Sequence, residues 1–228
     1  MLLLLPNLIG EHAHHQLFLP ASVDRAVLKL DGLIAESERG GRRYLGRFET
    51  KKTAAQIPIS ELNEHTKEAD YDFLLKPVKE GECWGLVSDA GLPCIADPGA
   101  GLVARAKQIG IVIQAFSGPS AIFLSLMLSG LPGQRFAFHG YFQQDKLMDW
   151  ANRSKQDNAT QLFIEAPYRN RKTLDYLLLN LPAETQLCIA WDLTLPTQSV
   201  LTQSVANWKK SPLPNINKKP AMFLMLIA

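Results

Sequence analysis

The 228-residue chain has only three cysteines, Cys83, Cys94 and Cys188. They are scattered, odd in number and without CxxC spacing, which argues against a disulfide framework or a zinc site and points to a reducing compartment. Charge of one sign is equally scarce. Against 24 Lys and Arg stand 22 Asp and Glu, a formal net charge of +2, too mild to indicate a polyanion partner by itself. Any anion site has to be a local patch. No apolar run reaches the roughly 18 to 20 residues that span a bilayer; the longest candidate, Ala121 to Leu128, is interrupted by Ser125. The opening Leu2 to Leu5 lacks a basic leader and stops at Pro6, so it reads as a buried first strand rather than a signal peptide. No GxGxxG follows that strand and no GxxxxGK[ST] occurs anywhere, which removes the main support for nicotinamide and nucleoside-triphosphate chemistry. Internal repeats and low-complexity tracts are missing as well. What remains, 46% hydrophobic and 20% charged residues, is an ordinary globular composition.

What is present is alternation. Leu2 to Leu5, Gly32 to Ala35, Cys83 to Val87 and Ile111 to Phe116 are short apolar runs bounded by polar, Gly or Pro residues, as buried parallel strands are. Between them, Ser22 to Leu30 and Gly101 to Ile109 carry apolar residues at helical spacing, the second closed by Gly110. Strand and helix in turn predict a parallel α/β sheet. After Ser117-Gly118-Pro119-Ser120 the texture changes. Ala121 to Leu128 is apolar on nearly every face and reads as a helix buried between domains or subunits. Further strands are expected at Phe136 to Gly140, Gln161 to Glu165, Leu187 to Trp191 and Ala221 to Ile227, a helix at Arg171 to Leu179 and a polar loop at Ser211 to Lys219. The division expected is residues 1–116 and 117–228, two α/β domains.

The densest chemistry follows the third strand, in Ser88-Asp89-Ala90-Gly91-Leu92-Pro93-Cys94-Ile95-Ala96-Asp97-Pro98-Gly99-Ala100-Gly101. Open α/β sheets bind ligands beyond the carboxyl ends of their strands. Asp89 is placed to accept hydrogen bonds from ligand hydroxyl or amino groups, the glycines admit close backbone approach and the prolines stiffen the loop. Asp97 either joins that site or caps the next helix beside Pro98.

Several ordered segments together resemble the tetrapyrrole methylase superfamily and, within it, the ribosomal RNA small-subunit methyltransferase I group. They are Asp89-Ala90-Gly91-Leu92-Pro93 with Ile95-Ala96-Asp97-Pro98-Gly99, then Ser117 to Ala121, Ser129-Gly130-Leu131-Pro132 and Glu165-Ala166-Pro167-Tyr168-Arg169. The resemblance implies a parallel-sheet N-terminal domain, a mixed-sheet C-terminal domain, S-adenosylmethionine in the cleft between them and a cytoplasmic homodimer. It implies that Asp89, Gly91 and Ile95 line the cofactor from the first domain, and Ser120, Ala121 and Pro167 from the second. Two stretches depart from the group: Pro6-Asn7-Leu8-Ile9-Gly10-Glu11 stands where a Thr-Pro-Ile-Gly-Asn-like turn is usual, and Ala35-Glu36-Ser37-Glu38-Arg39 where Glu-Asp-Thr-Arg is usual. The second faces the substrate side in the group, so the cofactor is better supported than the acceptor.

A ribose hydroxyl is a poor nucleophile while protonated, and a base near its proton helps. Candidates are Glu36, Glu38 and Glu165, with His139 behind them. Glu36 is either a strand-end residue facing the cleft or a first-turn helix carboxylate; the alternative for Glu165 is a structural bond to Tyr168 or Arg169. Arg39, Arg42 and Arg43, with Arg47, Lys51 and Lys52 beyond, either grip phosphates of ribosomal RNA or form a solvated helix face. Tyr44 and Phe48 are either stacking groups or core anchors. His12, His14 and His15 lack a completing Cys or carboxylate and read as a metal-free loop. The expected activity is methylation of a ribose 2′-hydroxyl of ribosomal RNA in the small ribosomal subunit. The alternatives are methylation of a tetrapyrrole or other small molecule, and a non-catalytic RNA-binding or assembly module.

Overall fold

The computed structural model describes residues 1–11 and 14–227; His12 of the histidine cluster lies outside the described residues. Contacts divide the chain into two compact units, Met1–Ser120 and the part from Ala121 onward.

The first unit alternates β1 (Leu2–Leu4), α1 (Ala21–Val27), β2 (Gly32–Ala35), α2 (Glu38–Leu45), β3 (Ile59–Glu61), α3 (Tyr71–Lys79), β4 (Trp84–Leu86), α4 (Ala100–Gln108) and β5 (Ile113–Ala115). Its five strands run parallel in the order β3-β2-β4-β1-β5. Such a sheet buries both faces, which is why the inner strands read as unbroken Leu, Ile and Trp. Val23 and Val27 of α1 and Tyr44 and Leu45 of α2 pack with Leu3, Leu5 and Leu33 on one face. Leu74 and Leu75 of α3 and Leu102 and Ala106 of α4 pack with Leu2, Ile34 and Leu86 on the other. The chain therefore leaves β1 and β2 toward one face and leaves β4, lying between them, toward the opposite face. Loops that diverge in this way open a crevice at the strand ends.

The second unit has α5 (Ala121–Ser129), β6 (Phe136–Tyr141), α6 (Leu147–Asp157), β7 (Thr160–Ile164), α7 (Asn170–Asn180), β8 (Gln186–Trp191), β9 (Ser199–Ser204), α8 (Val205–Trp208) and β10 (Ala221–Leu226). Its sheet, ordered β6-β7-β10-β8-β9, is mixed: β6 and β7 are parallel and the remaining pairs antiparallel. Trp150, Phe163, Leu174, Leu177, Trp208 and Phe223 centre the core.

The two α/β architectures, one parallel and one mixed, are those expected. The helix after Ser120 buries Ile122, Ser125, Leu126 and Ser129 within the chain, while Phe123, Met127 and Leu128 are exposed. The histidine segment is not wholly a loop, since His15–Leu17 forms a 3-10 turn. Among the described residues no helix is long and apolar enough to cross a membrane.

Candidate active site

Four strand ends of the first unit converge. After β1 comes Asn7, which is buried. Its Nδ2 donates to the Ser88 and Asp89 carbonyls, both at 2.9 Å, and its backbone N–H to the Gly91 carbonyl at 2.7 Å. After β2 comes Glu36, whose Oε1 accepts from the Asp89 N–H at 2.8 Å. After β5 comes Gly118, packed so tightly on the β1 end that an added Cβ would lie 2.1 Å from the Pro6 Cβ. The loop after β4 is thus held from both neighbouring strands.

That loop is conformationally strained. Gly91 (φ 72°) takes the left-handed region that glycine tolerates, but Cys94 (φ 68°) and Ala96 (φ 67°) take it with a side chain, at roughly 1–2 kcal/mol each. The prediction of a ligand loop at a strand end therefore meets a backbone whose shape is imposed by its surroundings. Asp89 and Ile95 are exposed on it, and Gly91 is buried. The Asp89 carboxylate lies over the first turn of α2, where a Cβ on Gly40 would meet its Oδ1 at 2.5 Å.

Asp97 completes a group of carboxylates. Its pKa is pushed up to about 6, first by burial and then by the negative charge of Glu36; a hydrogen bond from Ser88 opposes the rise and the charge of Asp89 adds to it. The single Ser88 hydroxyl proton is shared, since the Ala90 carbonyl lies 3.0 Å away. The helix-cap alternative for Asp97 does not hold, because the N-cap of α4 is Gly99 and no side chain caps it.

Glu36 follows β2 and precedes Ser37, the N-cap of α2, whose Oγ accepts from the Gly40 N–H at 3.1 Å. It is a strand-end residue and not part of the helix's first turn. Glu38 begins α2; its N–H donates to Glu61 and its carboxylate takes Arg42 at 3.2 Å. Of the basic cluster, Arg39 is exposed and makes no ion pair among the described residues. Arg42 serves the fold, since its Nη1 donates to the Ala54 and Ile57 carbonyls at 2.5 and 2.6 Å. Arg43 reaches Glu11 at 3.5 Å. Tyr44 is a core anchor, fully buried and 5.0 Å from the Phe48 ring. His15 bonds Asp24 at 2.5 Å and packs on Phe48 at 4.3 Å.

In the second unit Glu165 follows β7, buried. Its Oε1 accepts from the Ala166 N–H and Arg169 Nη2, both at 2.7 Å, and its Oε2 from the Thr173 hydroxyl at 3.0 Å. Both oxygens are engaged, which makes Glu165 an anchor of the α7 start, with one partner on Oε2 and two on Oε1. His139 stacks on Trp150 at 4.3 Å and bonds Gln161 at 2.7 Å; burial pushes its pKa down. Ser120 is buried, Ala121 opens α5, and Pro167 is exposed with its carbonyl accepting from the Lys218 N–H at 3.0 Å. The sequence puts Arg47 in the basic cluster and Asn7 in an unusual turn but does not join them, whereas Arg47 Nη1 donates to Asn7 Oδ1 at 2.9 Å. An Asn just past the first strand is the one available signal.

A doubly wound parallel unit with a glycine-kinked carboxylate loop at its crevice, followed by a mixed-sheet unit, defines the tetrapyrrole-methylase fold. Solved structures agree. The chain aligns over 100% of its length with 94% of the methyltransferase CobJ (TM-score 0.68, 13% identity). It also aligns over 99% of its length with 96% of a uroporphyrin-III C-methyltransferase from Thermus thermophilus complexed with S-adenosyl homocysteine (TM-score 0.59, 14% identity). No protein-family model matches the chain. Among curated proteins, the ribosomal RNA small subunit methyltransferase I of Thermotoga maritima is 30% identical over 198 residues, 84% of this chain and 86% of that protein. Its namesake in Halalkalibacterium halodurans is 34% identical over 157 residues, 68% of this chain but only 53% of the relative's length. The chain belongs to the ribosomal RNA small-subunit methyltransferase I family.

Proposed function

We propose that this chain transfers a methyl group from S-adenosylmethionine to a ribose 2′-hydroxyl of ribosomal RNA in the small subunit. The observation that carries the reading is the carboxylate loop held at the crevice of the parallel sheet in a chain that matches a methyltransferase of that name over most of its length. The residues present suit such a cofactor. The exposed Asp89 accepts hydrogen bonds from hydroxyl or ammonium groups, the left-handed Gly91 lets backbone approach closely, and the exposed Ile95 offers an apolar surface. Ser120, Ala121 and Pro167 stand as further cofactor contacts on the resemblance alone.

When bound, S-adenosylmethionine supplies a sulfonium methyl carbon as the electrophile, and the protein has to hold an acceptor in line and exclude water. Glu36, Asp89 and Asp97 place negative charge where a cation is to be held. Glu36 uses Oε1 on the Asp89 N–H, and its second oxygen is the proposed acceptor for the hydroxyl proton. Arg39, exposed one turn beyond it, is the proposed phosphate contact, with Arg43 beside Glu11 as a second. The same reading places the protein in the cytoplasm, where ribosomes are, as a homodimer.

Calorimetric titration with S-adenosylmethionine, followed by transfer of labelled methyl groups to small ribosomal subunits from cells lacking the protein, tests it. Label in alkali-resistant ribose is expected. Labelling of a tetrapyrrole and not of RNA rejects the acceptor, and absence of cofactor binding rejects the activity. Asp89→Ala is expected to weaken cofactor binding by about 1–3 kcal/mol, the cost of a lost hydrogen-bonding partner.

A further inference from the structure

Every hydrogen-bonding position of the Asn7 side chain is used. Nδ2 donates to two carbonyls of the loop after β4, those of Ser88 and Asp89 at 2.9 Å. Oδ1 accepts from the Leu8 N–H at 2.8 Å and from Arg47 Nη1 at 2.9 Å. Only one amide orientation satisfies this set, because a flipped amide would set its oxygen against two carbonyls and its NH₂ against two donors. No other side chain of this size offers two donors and two acceptors on one short arm. Arg47, just past the end of α2, fixes the amide and is itself steadied by Glu11 at 3.5 Å.

The backbone of Asp89 is consequently held at both of its polar groups, its carbonyl by Asn7 and its N–H by Glu36 at 2.8 Å. Farther along the same loop stand Cys94 and Ala96 in the left-handed region, a shape that persists only where neighbours over-determine it. We propose that Asn7 is a positioning residue for the methyl-donor loop, and that Arg47 sets its amide. This rests on the reading of that loop as the cofactor site. Both residues act through the Ser88 and Asp89 carbonyls, and neither is assigned a contact with the cofactor. Asn7, and the Glu11 that steadies Arg47, belong to the stretch where the chain departs from the usual Thr-Pro-Ile-Gly-Asn-like turn, so the clamp is a device of this chain's own residues.

The test uses the full chain and S-adenosyl homocysteine as the probe. Asn7→Asp keeps the shape and the two acceptor contacts but sets an oxygen where the Ser88 and Asp89 carbonyls need donors. It is expected to raise the probe's Kd at least tenfold and the KM for S-adenosylmethionine in parallel, with kcat changed less than threefold. Hydrogen exchange of the amides from Asp89 to Ile95 is expected to accelerate. Arg47→Met, at a more accessible position, is expected to raise Kd three- to tenfold, with Arg47→Lys recovering part of the loss. Kd within twofold of the unaltered protein in a folded Asn7→Asp overturns the proposal. If that variant does not fold, the same result in Arg47→Met overturns it. No probe binding by the unaltered protein at millimolar concentration overturns the cofactor reading itself, and this proposal with it; binding by the unaltered protein together with unchanged variants overturns the role of Asn7 alone.

Discussion

Asp97 and Glu165 are both acidic residues near strand ends, and their surroundings give them opposite roles. Glu165 has its charge met by Arg169, the Ala166 N–H and the Thr173 hydroxyl, so it holds the start of α7. Asp97 has two carboxylates for neighbours and a share of one hydroxyl. Its folded pKa of about 6 lies above the ordinary 3.8, so the folded state favours the protonated form. The corresponding stability is fully present below pH 3.8 and is lost as pH rises through about 6. Asp97→Asn is therefore expected to stabilise the protein at pH 7.5 but not at pH 4. Full strength of the shift would be a few kcal/mol, but the site is only half-buried and solvent screening leaves about 1 kcal/mol. Urea midpoints at the two pH values check this, and an equal effect at both would remove the charge as the cause. Arg42 behaves likewise among the cations: a guanidinium that serves two backbone carbonyls secures the segment at 54–57.

At the scale of elements, the β4 to α4 connection is held from both flanks. The Ser117 to Ser120 segment belongs to the same assembly, because Gly118 sits against Pro6 at the end of β1. A Cβ at 2.1 Å from Pro6 cannot be relieved by a side-chain rotation, since proline's ring moves only with its backbone. Gly118→Ala is expected to destabilise the first unit by about 1–3 kcal/mol, the usual cost of overpacking, measured by urea unfolding. An unchanged midpoint would mean that the two segments part easily. The start of α2 lies where the chain departs from the family pattern, and its N–H groups find acceptors in this chain's own residues. Ser37 caps the helix through the Gly40 N–H, and Glu61 from the end of β3 takes the Glu38 N–H; acceptors at these orphan donors stabilise a helix start.

Over the whole molecule, α5 combines a buried side, Ile122 and Leu126, with exposed Phe123, Met127 and Leu128. Phe123 also meets the exposed Phe136 edge to face at 6.0 Å. Apolar exposure of this kind is what a self-complementary twofold contact covers. Met127, 77% exposed, is the test position: Met127→Glu is expected to weaken the proposed homodimer at least tenfold in sedimentation equilibrium, and an unchanged association constant would move the contact elsewhere. The elements legible in the sequence are those that carry their own pattern. The inner parallel strands β1, β2 and β4 are apolar runs because both faces are buried, the edge strand β5 is marked by the apolar residues around Gln114, and α4 shows helical spacing closed by Gly110 at φ 77°. Those missed lack such a pattern. β3 is three residues long with Ser60 and Glu61, β9 is the polar edge run Ser199–Ser204, α3 contains Pro77, and α6 has Lys146 at its N-cap with no side-chain cap. By itself the sequence determined the two α/β architectures, the Asp- and Gly-rich loop at the end of a buried strand and the family. Tertiary structure alone decided that Asn7 hydrogen-bonds that loop, that Asp97 joins a carboxylate group instead of capping a helix, and that Glu165 ties down the start of α7. The physical reason is range: hydrophobic period and turn chemistry are local, whereas a side chain's partners, and hence its charge state and role, come from segments such as 7, 47 and 89 that only the fold brings together.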